Sequence, residues 1–378
     1  MTLTRQIWRW SQTAAMEIDF LGQVQETVNR VLKAYGAKQQ HHVLTDLAPD
    51  QRESLAVALH LQKTLQDMER KHLCRRCWLP TMTSSSSSFC ICQQCPPVQF
   101  PQKHNNDNNN NRKNTLNRLF LILHHQEIGR SVDTAKLILA ALPRHCRLIV
   151  PGMAAEFQAS LAELQASLKE RQRPCLVLFP DDTAQTFDEI QHQYNHRHDV
   201  RNGNGGSWDV VVIDGTWQQA RRIKKRYFPP LPTTNVVMAK LSDNAVALLD
   251  QEVVVVPPDL QGETTATTER DKRNPGHQLR KHSITSRKVG TFEATRLFLA
   301  DILRGEECPQ QPNADHVHAT ATTIQPQGHA SHGGKEKEVS PPWVQMEHYQ
   351  TIANQSFQDY KQSTHSTRRQ TTPTQQIL

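Results

Sequence analysis

Residues 210–227 read VVVIDGTWQQARRIKKRY. Val210 to Ile213 are four β-branched apolar residues in succession, a strand with no polar face, as found in a parallel sheet covered on both sides. A helical pattern follows at once, from Gln218 to Tyr227. Asp214-Gly215-Thr216-Trp217 is therefore the turn between strand and helix, at the strand's carboxyl end, where parallel sheets collect their ligands. Gly215 allows a sharp turn or a close approach. Thr216 is suited to cap the helix, and Trp217 offers a flat face for stacking. Alone, the same four residues also read as an ordinary turn with a cap and a core tryptophan.

The texture repeats on both sides of this stretch. Leu119–Leu123, Leu148–Val150 and Cys175–Phe179 are short apolar runs that read as strands. Ser131–Leu142, Ala154–Glu170 and Thr291–Leu303 carry helical spacing between and after them. Val253–Val256 is a further strand candidate. Alternating runs of this kind predict an α/β fold with a mostly parallel sheet covered by helices. Upstream, residues 16–70 show two amphipathic helical patterns, through Leu21, Val24, Val28 and Val31 and then Leu55, Leu59, Leu61 and Leu65.

Low-complexity stretches punctuate the chain: Ser84–Ser88, the Asn-rich residues 101–114, Asn202–Gly206, and Gln261–Gly276. Such segments do not pack and read as insertions. The resulting division is a helical extension (1–70), a Cys-rich zinc-binding segment (71–100), an insertion (101–114) and an α/β domain (115–304). A disordered polar linker (305–342), a last helix (343–361, centred on Met346–Tyr360) and a disordered tail (362–378) complete it.

The 378 residues are 37% hydrophobic, with a net charge of +7. Mean hydropathy is −0.64 and the pI is near 9.0, a balance that favours a polyanionic partner. No stretch approaches the ~20 apolar residues of a membrane span. Arg5, Arg9 and the absence of acids before Glu17 resemble a mitochondrial presequence, against the competing reading of a solvated amino terminus. The expectation is an intracellular protein, cytoplasmic or nuclear, with the mitochondrion as the alternative.

Five of the eight cysteines fall between residues 74 and 95. Cys74, Cys77, Cys90 and Cys92, spaced C-x2-C-x12-C-x-C, can place four thiolates on one structural zinc ion. Cys95 is a spare or an alternative fourth ligand. His124, Glu127 and Arg130 follow the Leu119–Leu123 strand, with Asp133 and Thr134 opening the next helix. Asp181 or Asp182, after Phe179-Pro180, reads as a helix cap. The basic run Arg221, Arg222, Lys224, Lys225 and Arg226 is either a solvated face or a phosphate-binding one.

In order, these motifs resemble the DTW-domain family of the SPOUT class. Cys74-Arg75-Arg76-Cys77 matches its first cysteine pair, and Cys90 and Cys92 its second. Glu127, Arg130 and Thr134 match its "E…R…NT" segment, and Phe179-Pro180 its aromatic–proline turn. Asp214, Thr216 and Trp217 match the Asp-x-Thr-Trp signature. Arg280 and Gly290-Thr291-Phe292-Glu293-Ala294 match its last segment. Departures are His125 for Pro, Asp133 for Asn, Gly290 for Ser and Phe292 for Leu. Asp133 adds a negative charge beside expected contacts.

The resemblance implies a SPOUT-like, knotted sheet and S-adenosylmethionine as co-substrate. It further implies transfer of the 3-amino-3-carboxypropyl group to N3 of a tRNA uridine, with release of 5′-methylthioadenosine. On that basis Asp214, Thr216 and Trp217 are the catalytic candidates, Asp214 as general base for the weakly acidic N3–H. Glu127, Arg130, Thr134, Phe179, Pro180, Thr291 and Glu293 are candidates for holding S-adenosylmethionine. Arg221, Arg222, Lys225 and Arg280 are candidates for holding RNA. Methyl transfer to RNA, and a non-catalytic zinc-bearing RNA-binding module, are the rival expectations.

Overall fold

The structure is a computed structural model that describes residues 19–40, 47–81, 89–92, 94–98, 115–130, 133–169, 174–197, 207–229, 235–251, 290–304 and 341–370. Two helices, α1 (Phe20–Gln40) and α2 (Pro49–Arg70), precede the sheet. Then follow β1 (Thr115–Leu123), α3 (Ala135–Ala141), β2 (Cys146–Ile149), α4 (Ala159–Lys169), β3 (Cys175–Leu178), α5 (Phe187–Arg197) and β4 (Ser207–Asp214). The chain continues through α6 (Trp217–Tyr227), β5 (Val236–Ala239), α7 (Asp243–Gln251), α8 (Thr291–Arg304) and α9 (Pro342–Gln370).

The five strands lie in the order β2-β1-β4-β3-β5, and every neighbouring pair is parallel. Each strand alternates between two apolar cores. Leu119, Leu121, Leu123, Val210 and Val212 face one; Phe120, Ile122, Val211 and Ile213 face the other. The first core holds Leu137 of α3, Phe187 of α5, Phe298 of α8 and Met346 of α9, together with Val28 of α1 and Leu61 of α2. The second holds Leu161 and Leu164 of α4 with Ala220 and Ile223 of α6. Helices on both faces are why these strands carry no polar side. The α/β class with a parallel, helix-covered sheet is as the sequence led us to expect.

Strands β1 and β4 are neighbours, yet the helices that leave them, α3 and α6, cover opposite faces of the sheet. That divergence opens a crevice at the carboxyl ends of β1 and β4, the usual ligand position in such sheets. Helix α2 packs beside it. The Ser54 hydroxyl donates to the Gly152 carbonyl at 3.0 Å and accepts from the Ala154 N–H at 3.1 Å. Gly129 (φ +81°) passes so close to α2 that a Cβ there would stand 2.9 Å from the Met68 sulfur. At the other end of the chain, the Tyr349 hydroxyl of α9 donates to the carbonyls of Cys95 and Pro96, tying that helix to the cysteine segment.

The sequence left α5, β5 and α7 unassigned. The helix expected over Met346–Tyr360 spans Pro342–Gln370. The presequence-like terminus, the Ser84–Ser88 run, the insertions 101–114, Asn202–Gly206 and Gln261–Gly276, the Val253–Val256 strand, Arg280 and the linker to residue 340 lie outside the described residues. The described residues do not trace the knot that the resemblance implies.

Candidate active site

Asp214 ends β4 and is fully buried. The Thr291 hydroxyl, at the first residue of α8, donates a hydrogen bond to its carboxylate. The Asp214 carbonyl accepts the His124 N–H at 3.1 Å, extending the β1–β4 ladder by one rung. Gly215 then turns with φ +154° against the His124 side chain; a Cβ there would stand 3.3 Å from that of His124 and 3.1 Å from Gln219 Oε1. Thr216 caps α6: its hydroxyl accepts the Gln219 N–H at 3.4 Å, and Gln219 Oε1 accepts the Thr216 N–H at 2.7 Å. This reciprocal pairing satisfies two otherwise orphaned donors. Thr216, expected among the catalytic residues, thus has a helix-capping geometry. Asp214, expected as general base, is enclosed and engaged with Thr291.

The other motifs gather around this turn. Gln219 Nε2 donates to Gln126 Oε1 at 3.0 Å, joining α6 to the loop after β1. Trp217 stacks on Phe179 from the end of β3, with ring centroids 5.1 Å apart and planes within 7°. In the loop after β1, Arg130 Nη1 reaches both carboxylate oxygens of the buried Glu127 at 3.2 Å. Thr134 opens α3 without using its hydroxyl as a cap; that oxygen is buried and meets no hydrogen-bonding partner among the described residues. It lies 3.6 Å from where a Cβ on Gly290 would stand, so Thr134 and the start of α8 share one small space. Glu293 is buried in the first turn of α8. Asp133 is fully buried, its Oδ1 accepting the Ala135 N–H at 3.1 Å, and its charge is met by Lys136, itself fully buried.

Three imidazoles line the crevice on the side of α2. His124 and His125 are stacked at 4.3 Å, and His60 meets the His125 edge at 5.0 Å. Burial lowers both strand-end histidines; the charges of His124 and His60 push His125 further, down to about 4. Nothing in the sequence pointed to His60, which stands on a helix far from the strand motifs. The basic face of α6 divides. Arg221, Arg222 and Lys225 are exposed, whereas Lys224 pairs with Asp181 and Arg226 with Glu53 at 2.6 Å. Asp181 caps no helix: its Oδ1 accepts the N–H and hydroxyl of Thr183 at 2.8 and 2.7 Å.

The cysteine segment forms a second centre. The sulfur atoms of Cys74, Cys77, Cys90 and Cys92 all lie within 4.8 Å of one another. The Cys74–Cys92 and Cys77–Cys90 separations are 3.5 and 3.7 Å. A tetrahedral zinc with bonds of ~2.3 Å needs sulfurs about 3.8 Å apart, so the group fits that ion. The Arg76 N–H points at Cys74 Sγ, 3.4 Å away, and the buried Trp78 takes φ +54° to complete the tight turn. Cys95 stands outside the group, its thiol pushed up to about 11 by burial. No helix among the described residues is long and apolar enough to cross a membrane.

A family model described as the DTW domain matches residues 71–311. No curated protein and no solved structure matches the chain. With the cysteine group, the strand-end loops and the start of α8 all inside the matched span, the chain belongs to the DTW-domain family, whose members modify tRNA.

Proposed function

We propose that this protein transfers the 3-amino-3-carboxypropyl group of S-adenosylmethionine to N3 of a tRNA uridine. The observation that carries the reading is the convergence of four distant segments on the ends of β1, β3 and β4. They meet through His124 and Asp214, Gln126 and Gln219, Phe179 and Trp217, Thr291 and Asp214. The donor set suits the co-substrate. Arg130 provides a cation for the carboxylate of the transferred group, Glu127 and Glu293 provide anions for its ammonium, and the Thr134 hydroxyl is buried and available. The electrophilic carbon beside the sulfonium is supplied by S-adenosylmethionine itself.

The tRNA lies along Arg221, Arg222 and Lys225, whose charges face solvent beside the same turn. The target uracil, drawn out of its stack, rests on Trp217. His124 Nδ1 accepts the Gln126 N–H at 3.3 Å, which places the neutral ring's proton on Nε2. That nitrogen is a donor for a uracil carbonyl as N3 loses its proton and charge develops on oxygen. Asp214 holds the start of α8 through Thr291, and with it Glu293; acting directly on N3–H would require the enclosed carboxyl group to become accessible.

The test is incubation of purified protein with unmodified tRNA and S-adenosylmethionine, followed by mass spectrometry of nucleosides and small molecules. The expected products are 3-amino-3-carboxypropyl-uridine and 5′-methylthioadenosine. S-adenosylhomocysteine with a methylated nucleoside would replace this reading by methyl transfer. Tight tRNA binding with no product from either route would make the protein a binding module.

A further inference from the structure

Trp217 and Lys224 stand seven residues apart on α6, on the same side of the helix and two turns distant. The Phe179 ring occupies the interval. Its centroid is 5.1 Å from that of Trp217 and 5.5 Å from the Lys224 ammonium. The one ring thus meets the indole by stacking and the ammonium by a cation–ring contact. A cation at that distance is attracted by the ring's negative face.

Two members of this column are fixed. Lys224 is ion-paired with Asp181, two residues beyond Phe179. Burial works to raise the Asp181 carboxyl, but Lys224 and the Thr183 N–H and hydroxyl outweigh it and hold it below its ordinary value. The Phe179 N–H donates to the Ala239 carbonyl at 2.9 Å, pinning the ring's backbone to β5. Trp217 is backed on one face, yet at 53% exposure it is the most exposed large apolar side chain among the described residues. An exposed indole backed on one face suits a flat ligand on the other.

We propose that Lys224 and Asp181 are positioning residues that clamp Phe179 against Trp217 and so hold the open indole face as a preformed seat for the target uracil. Lys224 sits in a basic run but does not contact phosphate; its charge is directed inward at a carboxylate and a ring. The neighbouring Lys225 faces solvent and takes the phosphate role instead. The proposal rests on the tRNA-uridine reading, and the two fail in different ways.

The experiment compares Lys224→Ala, Lys224→Arg, Asp181→Asn and Lys225→Ala with the wild-type full chain, after thermal melting has shown each to be folded. Near-ultraviolet circular dichroism, taken as a difference against Trp217→Phe, reports the stack without any reaction. That signal is expected to fall in Lys224→Ala and Asp181→Asn and to return in Lys224→Arg. Turnover of unmodified tRNA should fall about tenfold or more in the first two, since small misplacements at a reacting ring are costly. The dependence of tRNA affinity on salt should keep its wild-type slope in both, while Lys225→Ala lowers that slope by about one ion.

A phosphate-binding Lys224 gives the opposite pattern: Asp181→Asn tightens tRNA binding, and Lys224→Ala lowers the salt slope. Either result overturns the clamp, as does an unchanged dichroic signal in Asp181→Asn. If Lys224→Ala does not fold, Asp181→Asn and Lys224→Arg still decide. A wild-type protein that releases no methylthioadenosine defeats the functional reading, whereas the dichroic comparison still judges the clamp.

Discussion

The Thr291 hydroxyl donates to the Asp214 carboxylate, joining the end of β4 to the first turn of α8 across 77 residues of sequence. Both residues belong to motifs that look independent along the chain. Their contact ties the first turn of α8, which carries the buried Glu293, to the carboxyl end of the central strand. A hydrogen bond to a charged group is worth ~1.5–3 kcal/mol.

The cysteine group should hold one zinc ion per chain. Cys74→Ser and Cys92→Ser each remove a ligand from a closed four-sulfur site and are expected to lose stoichiometric metal and stability together. Cys95→Ser, outside the group, should retain the metal. Elemental analysis and melting curves on the three variants check this; a Cys74→Ser protein with full zinc would exclude the assignment.

The crevice histidines make stability depend on pH. His125 titrates near 4 in the folded chain and at ~6.5 when unfolded. Between those values the unfolded chain binds the extra proton, so stability falls as pH drops from 6.5 toward 4 and levels off above 6.5. His125→Gln is expected to reduce that slope. Denaturation midpoints at pH 7, 6 and 5 for both proteins measure it, and equal slopes would show that the imidazole is not shielded.

Gly290 leaves room where the family commonly has serine. A Cβ there meets Thr134 at 3.6 Å, an ordinary contact, and a hydroxyl on it could reach the buried Thr134 oxygen. Gly290→Ser should therefore stabilise. A serine cap adds a few tenths of a kcal/mol over glycine, and one new hydrogen bond adds ~0.5–1.5 kcal/mol. The melting temperature should rise by about 1–2 °C at this chain size. A lower melting temperature would mean that the space is shaped for something other than a side chain.

What could be read in advance, and what could not, follows from how each residue signals itself. Val210–Ile213 and Leu119–Leu123 face two apolar cores, so they show as unbroken apolar runs. Helix α5 shows little: among its described side chains Phe187 and Ile190 are buried and Tyr194 packs partly against the core, while the others are polar. Its real signal was Thr186-Phe-Asp-Glu189, a capping box whose two bonds measure 2.7 and 3.4 Å. Strand β5 is four residues long at a sheet edge, too short for a period to emerge. The zinc ligands were legible because their spacing is itself the geometry. Lys224 was not: a lysine inside a basic run looks the same whether it faces solvent, phosphate or the aspartate of a neighbouring loop.

The role of Asp214 is decided by comparing two variants that break its contact from opposite sides. Asp214→Asn keeps an oxygen able to accept from Thr291 but cannot take a proton at neutral pH. Thr291→Val keeps the carboxylate and removes the donor. A general base predicts a wide gap: Asp214→Asn would lose ~10²–10⁴ in turnover, with Thr291→Val close to wild type. An anchor predicts convergence, because an uncharged amide oxygen accepts from Thr291 more weakly than a carboxylate and valine donates nothing, so both variants loosen the start of α8 and misplace the groups it carries. Enclosure of the carboxylate favours convergence. Single-turnover release of methylthioadenosine should then fall in both variants to within about tenfold of each other, by ~10-fold or more from wild type. Thr291→Val should also be less stable than wild type, since it removes a donor from a buried carboxyl group. A Thr291→Val protein with near-normal turnover and stability, beside an inactive Asp214→Asn, would return the proton to Asp214 and require α8 to open during each cycle.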